Sequence, residues 1–199
     1  MTSRRVRLSA RLRGSSGQSI IEFALIAPLA MVLVLGVVDV SYALLDEQVV
    51  TRLTREGSNL ISRDTTLQDA ASAMANMSAR PVNFGTSSTV IFSVIKNVVT
   101  TGSSNFGKNV LYRRYQYGSL PATSTLVTNG AGSFGGAPDY QAANSDSDTS
   151  LQVTNLPPNL VITGGMLYVT EIYTTHTPLT PLDKFGIPLP TTLYSIAYF

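Results

Sequence analysis

The sequence contains no cysteine, few charged residues and a single histidine. Only 13% of its 199 residues are Asp, Glu, Lys or Arg. Without cysteine the chain has no disulfide framework, zinc–thiolate site, iron–sulfur ligands or cysteine nucleophile. A site built from several histidines is excluded as well, and we interpret His176 as an exposed side chain at the end of a strand. Because no G-x-S-x-G motif or P-loop is present, we expect no enzyme, cofactor or metal site.

The positive charge of the chain is concentrated at its N-terminus. Five of the fourteen basic residues precede Gly17, and no acidic residue precedes Glu22. Beyond residue 17 the chain has nine basic and twelve acidic residues, a net charge of −3. We therefore predict a basic leader over residues 1–17. Since the remainder has no basic patch, we expect no binding to nucleic acid.

An uncharged apolar run, Phe23 to Val38, follows the leader. With its flanks it predicts a transmembrane helix over Ile20–Leu45, long enough to cross the hydrocarbon core of a bilayer. Pro28 is tolerated inside such a helix, where it produces a kink. Gly36 permits close approach of another helix. The arginines of the leader place the N-terminus in the cytoplasm and the C-terminal part outside.

Two further helical segments follow the apolar run. Residues Asp46–Arg63 have apolar side chains at roughly helical spacing, so the first helix is expected to continue as a stalk. A second helix is predicted over Thr66–Ala79, with Thr65 and Gln68 as a capping box. We accordingly divide the chain into a leader (1–17), a transmembrane and stalk helix (18–63) and an extracytoplasmic domain (64–199).

The rest of the domain predicts strands separated by one long polar segment. The predicted strands are rich in β-branched and aromatic residues, and they are Ser88–Thr100, Val110–Tyr117, Met166–Thr177 and Thr191–Phe199. Residues 118–150 are rich in Gly, Ser, Asn and Asp and predict a long loop. Its carboxylates Asp139, Asp146 and Asp148 lack EF-hand spacing and are interpreted as solvated charges. Helices followed by strands indicate an α+β fold, a long helix packed on a small antiparallel sheet.

The sequence Gly17-Gln18-Ser19-Ile20-Ile21-Glu22-Phe23 joins the leader to the apolar helix. Cleavage after Gly17 would make Gln18 the first residue and Glu22 the fifth. A carboxylate next to hydrocarbon is costly without a partner. The amine freed by cleavage on a neighbouring subunit is such a partner, because about 6 Å of helix separates positions one and five.

These features resemble the TadE family of pseudopilins from tight-adherence (Flp-type) pilus systems. The resemblance covers roughly residues 17–63, and the matching positions are Gly17, Glu22-Phe23, Pro28, Gly36, Asp39 and Arg55-Glu56-Gly57. Thr54 replaces the alanine that usually precedes the last motif. The resemblance implies a pilin-like fold, removal of the leader at Gly17–Gln18 by a prepilin peptidase, and a minor subunit role in pilus assembly. Glu22 and Phe23 would then set register, and the partners would be other pilins, the inner-membrane assembly platform and the lipid bilayer.

Two other interpretations of the N-terminus remain open. The site Ser41-Tyr42-Ala43 fits a secretory signal peptide, which would release a soluble protein that begins at Leu44. An uncleaved anchor would instead leave a membrane-bound binding module in the periplasm. The N-terminal residue of the mature protein distinguishes these cases.

Overall fold

The computed structural model describes residues 16–199 except 187 and 189; the predicted leader lies outside this range up to residue 15. Side chains of residues 16, 183 and 185 are also outside the description. The fold is α+β, as predicted. The helices are α1 (Ser16–Ser62) and α2 (Leu67–Met77), and the strands are β1 (Ser88–Asn97), β2 (Asn109–Gly118), β3 (Met166–Thr175) and β4 (Thr192–Tyr198). Two short 3-10 helices lie at Thr149–Leu151 and Pro181–Phe185.

Helix α1 is a single helix of 47 residues, about 70 Å long at 1.5 Å per residue. Its apolar N-terminal half and the predicted stalk are therefore continuous, and the helix runs through Pro28. In the C-terminal half, Val50, Leu53 and Ile61 are buried on one side. Their spacing places them on one helical face, and this face packs on the sheet.

Helix α2 begins one residue later than its predicted capping box implies. The N-cap is Thr66, whose side chain accepts a hydrogen bond from the backbone N–H of Asp69 at 3.1 Å. The predicted pair of Thr65 and Gln68 was therefore wrong by one position. Threonine is a favoured N-cap residue, so Thr65 and Thr66 are both suitable by type. Thr66 takes the role because a carboxylate follows it by three residues, and Thr66 Oγ1 also donates to Asp69 Oδ2 at 2.7 Å.

The four strands form one antiparallel sheet in the order β2-β1-β3-β4. The β1–β2 pairing shifts register between Val94 and Ile95, opposite Tyr112. This bulge places one extra residue on β2. The predicted strands differ from the observed ones by no more than about three residues at any end, which is within the usual uncertainty of element boundaries predicted from sequence.

The sheet is covered on both faces. One face packs on the two helices around Phe92, and its cluster is Val50, Leu53, Ile61, Leu67, Ala70, Ala71, Met74, Val82, Phe84, Val90, Phe92, Val94 and Ile172. The other face is covered by the polar segment between β2 and β3. Its cluster is Ile95, Val98, Val110, Leu111, Leu126, Ala142, Leu151, Leu167 and Val169. The polar segment thus adds Leu126, Ala142 and Leu151 to the second half of the core, although its regular structure is limited to Thr149–Leu151.

Candidate functional site

The N-terminal half of α1 projects from the domain with its apolar side chains exposed. Ten large side chains along it are 63–74% exposed, and they are Ile20, Ile21, Phe23, Leu25, Ile26, Leu29, Met31, Leu33, Val34 and Val37. This helix is long and apolar enough to cross a membrane, judged by length and composition. A continuous apolar surface of this extent requires a cover of lipid or of other helices.

Glu22 lies one turn of helix after Gln18 at the start of this apolar surface. The Gln18 side-chain amide donates to Glu22 Oε1 at 3.0 Å, and both side chains are exposed. In the described part of the chain no Lys or Arg nitrogen lies within 4 Å of the Glu22 carboxylate. The carboxylate is therefore available to a partner from another molecule. The next side chain, Phe23, is 72% exposed.

Pro28 and Gly36 both lie on the projecting part of α1. Gly36 has no atom within 4 Å of the position that a Cβ would take. The domain of the same chain therefore makes no use of this glycine. A close helix–helix approach at Gly36, which the sequence predicts, requires a second molecule.

Asp39 lies where the domain begins to contact helix α1. Its side chain is only 2% exposed. The carboxylate accepts hydrogen bonds from the backbone N–H groups of Leu179 and Thr180 at 2.8 and 3.2 Å, and from the Thr180 hydroxyl. Asp39 thus fastens the β3–β4 connection to α1. Leu179 is 140 residues from Asp39 in the sequence, and no local sequence pattern indicates this contact.

A second contact lies two helical turns higher, between Asp46 and His176. His176 is 5% exposed, and its Nδ1 lies 2.7 Å from Asp46 Oδ2. The prediction that His176 is exposed was wrong, because the end of β3 packs against α1 rather than facing solvent. A cavity of about 330 Å³ lies beside this pair, lined by α1 and residues 190–194.

The motif Arg55-Glu56-Gly57 divides between the two sides of the helix. A Cβ at Gly57 would lie 2.7 Å from Met74 Sδ and 2.8 Å from Thr170 Cγ2. Glycine is therefore what lets α1 approach α2 and β3 at this level. Arg55 and Glu56 are exposed, and they lie about 160° and 100° around the helix from Gly57.

Thr54, the departure from the family pattern, is fully buried. Its hydroxyl donates to the carbonyl oxygen of Val50 at 2.7 Å. A buried hydroxyl that is satisfied within its own helix costs little. The substitution therefore leaves the docking of α1 on the sheet intact.

Glu171 is a buried carboxylate whose environment the sequence did not reveal. It is 0% exposed and accepts from the Thr125 backbone N–H and hydroxyl at 2.8 and 2.7 Å, from the Tyr194 hydroxyl at 3.1 Å, and from the Ser124 hydroxyl. Burial, with the Glu171 charge adding to it, raises the pKa of Tyr194 to about 12. Glu171 thus fixes the start of the polar segment to the sheet.

The polar segment is held by further charges that were predicted to be solvated. Asp146 accepts from Lys96 Nζ at 2.8 Å and from the Thr100 hydroxyl at 2.6 Å, and these hydrogen bonds lower the pKa of Asp146. Asp139 pairs with Arg113 at 3.0 Å. Asp148 caps the 3-10 helix by accepting from the Ser150 N–H at 2.9 Å. The interpretation as merely solvated charges was therefore wrong.

Among the described residues, no group of three or more His, Asp and Glu side chains could hold a metal ion. The exposed surface of α1 has the Glu22 carboxylate at one end and the charged residues of the stalk at the other.

Comparison with protein families agrees with this geometry. Residues 17–59 match the family described as TadE-like protein. No curated protein and no solved structure matches the chain significantly. The matched stretch lies wholly within α1 and contains Glu22, Asp39 and the Arg55-Glu56-Gly57 motif. The match and the long apolar helix together indicate a protein related to the tight-adherence pilus, and the similarity to the TadE-like family covers residues 17–59, less than half of the chain.

Proposed function

We propose that this protein is a minor pseudopilin of a tight-adherence pilus, a structural and assembly subunit made as a precursor. A prepilin peptidase removes the leader between Gly17 and Gln18. The mature chain then stays in the inner membrane, or enters the fibre, through helix α1. The observation that carries the proposal is the exposed apolar half of α1, which begins at a carboxylate that has no cationic partner in the described chain.

The position of Asp39 supports a membrane span that is shorter than Ile20–Leu45. Since Asp39 binds backbone groups of the domain, the helix from there onward lies in the aqueous phase or at the membrane surface. The remaining span, Ile20–Val38, is about 28 Å long, close to the thickness of the hydrocarbon core. The domain lies directly on the outer surface of the membrane, on the periplasmic side by the charge of the leader.

Glu22 sets the register between neighbouring subunits in this mechanism. After cleavage, the amine of Gln18 is a cation at the level of the first helical turn. A neighbour shifted by about one turn, roughly 6 Å, presents its Glu22 to this amine. In a low-dielectric environment this pairing is strong, and an unpaired carboxylate is costly. The apolar surface and Gly36 supply the packing around the pair.

The first experiment is to determine the N-terminal residue and the mass of the protein extracted from membranes. We expect a chain that begins at Gln18. A chain that begins at Met1 or Thr2 would indicate a membrane-anchored binding module instead. A soluble chain that begins at Leu44 would indicate a secreted protein.

The second experiment tests Glu22 by paired substitutions. Glu22→Gln keeps the size of the side chain and removes the charge, so we expect loss of pilus-dependent adherence with normal protein level and normal leader removal. Glu22→Asp keeps the charge and should retain part of the activity. Equal adherence of the Gln variant and the unchanged protein would refute a register role.

A further inference from the structure

The stalk part of α1 carries exposed charges that the domain does not use. Glu47, Arg52, Arg55 and Glu56 are all exposed, and in the described chain none of them lies within 4 Å of an opposite charge. Elsewhere in the domain, Lys96 and Arg113 do have carboxylate partners. The unpaired charges line a continuous shallow surface formed by α1 alone. This surface therefore has both signs of charge, and strand β4 of the same chain borders it without pairing those charges.

The periodicity of the helix places part of this surface on the same side of α1 as residues at its membrane end. At 3.6 residues per turn, residues twenty-nine apart are separated by eight turns and only about 20°. Glu47 consequently lies above Gln18, and Thr51 lies above Glu22, on the same side of the helix. A neighbour that contacts α1 at Gln18 and Glu22 is thus placed to contact the stalk at Glu47 and Thr51.

The offset proposed for two neighbouring membrane helices determines which stalk residues of the two copies lie at the same level. If the amine of Gln18 reaches Glu22 of the next copy, the two helices are offset by four residues. Glu47 of one copy then lies level with Thr51 of the next. Arg55 follows Thr51 by one turn, and helical side chains lean toward the N-terminus. Its long side chain therefore extends down toward the neighbour's Glu47.

We propose that Glu47 of one copy and Arg55 of an adjacent copy form an ion pair that keeps the stalks in the same register as the membrane helices. The occupant of the exposed surface is thus a second copy of this chain, because the two charges are complementary at the offset that Glu22 requires. This inference rests on the proposed pseudopilin function. An exposed ion pair is weak in water, so it selects the register rather than driving association.

Cysteine cross-linking in the full-length protein tests the pair, and the absence of native cysteine makes the background clean. We expect a Glu47→Cys/Arg55→Cys variant to form cross-linked dimers and larger species when native membranes are treated with a short bismaleimide, whose spacer replaces the reach of the removed arginine side chain. Within one chain these positions are about 12 Å apart along the helix, and a link within one chain would leave the protein a monomer on a gel. The matched control is Glu47→Cys/Arg52→Cys, because Arg52 lies about 100° around the helix from Thr51 and should not cross-link.

The N-terminal residue of the same samples distinguishes failure of the Glu47–Arg55 pair from failure of the pseudopilin function on which it rests. A chain that begins at Gln18 without a Glu47–Arg55 cross-link, or with an equal cross-link in the control, overturns the pairing and leaves the pseudopilin function standing. A chain that retains its leader overturns both.

A charge exchange supplies a second measurement. Glu47→Arg and Arg55→Glu should each lower adherence about two- to five-fold, the factor expected for an exposed ion pair. The double variant restores the complementarity and should recover adherence. Failure of the double variant to recover, with protein level and leader removal normal, contradicts the pairing.

Discussion

Gly57 offers a direct test of how the stalk docks on the domain. In Gly57→Ala, the new Cβ would lie 2.7 Å from Met74 Sδ and 2.8 Å from Thr170 Cγ2, closer than side chains tolerate without movement. Met74 and Thr170 are both fully buried. Overpacking of this kind costs about 1–3 kcal/mol. The gain in helix propensity from glycine to alanine, about 1 kcal/mol, offsets part of it.

Gly36→Ala is the matched control, since Gly36 lies in the same helix with no atom within 4 Å of the added methyl group. The propensity gain is common to both variants, so their difference isolates the steric cost of about 1–3 kcal/mol. In a protein of this size each kcal/mol corresponds to about 2–4 °C in Tm. The assay is thermal unfolding of the full-length protein in detergent, followed by circular dichroism.

A compensating substitution makes the reasoning refutable. Thr170→Ser removes the Cγ2 atom that the new Cβ would meet and keeps the hydroxyl. We expect Gly57→Ala to cost less in the Thr170→Ser background, a coupling that a double-mutant cycle measures. Equal stability of Gly57→Ala and Gly36→Ala, or no coupling to Thr170, would show that the contact is not tight and that Gly57 has another role.

Three further predictions concern the domain. Thr66→Ala removes the N-cap of α2 and should lower the free energy of unfolding by about 1 kcal/mol, whereas Thr65→Ala should leave it nearly unchanged; urea titration of both variants decides. Glu171→Gln places an amide among the donors that now face the carboxylate and should cost at least about 2 kcal/mol, measured the same way. The pKa of Tyr194 is about 12 in the folded protein against 10 for a free tyrosine, so its contribution to stability is complete below pH 10 and is lost between pH 10 and 12. The stability of Tyr194→Phe should fall less over that interval in alkaline unfolding titrations.

The sequence predicted the elements well because their signals are local. The apolar run of α1 and the β-branched residues of β1 and β3 each suffice to indicate one structure. Glu22, Gly36 and the Arg55-Glu56-Gly57 motif are recognisable in the sequence because they stand at fixed positions along one helix, and their roles stay predictions.

What the sequence did not reveal depends on contacts between distant segments. Asp39 binds residues 140 positions away, and Asp46 meets His176 across 130 positions. The second half of the core is completed by a segment without periodicity, from which single residues such as Leu126 and Leu151 pack against the sheet. The N-cap of α2 was misplaced because Thr65 and Thr66 are both suitable by type, and the contacts of Thr66 with Asp69 decide between them.

Helix α1 has two halves with opposite relations to the rest of the chain. Beyond Asp39 its inward face is part of the domain core, and substitutions there change folding stability. Before Asp39 its large apolar side chains are mostly exposed, so substitutions at Glu22 or Gly36 should leave the packing of the domain unchanged while they alter assembly. Because both halves belong to one continuous helix, a register set in the membrane is transmitted to the stalk. This continuity is what allows a pair as distant from Glu22 as Glu47 and Arg55 to report on the same interface.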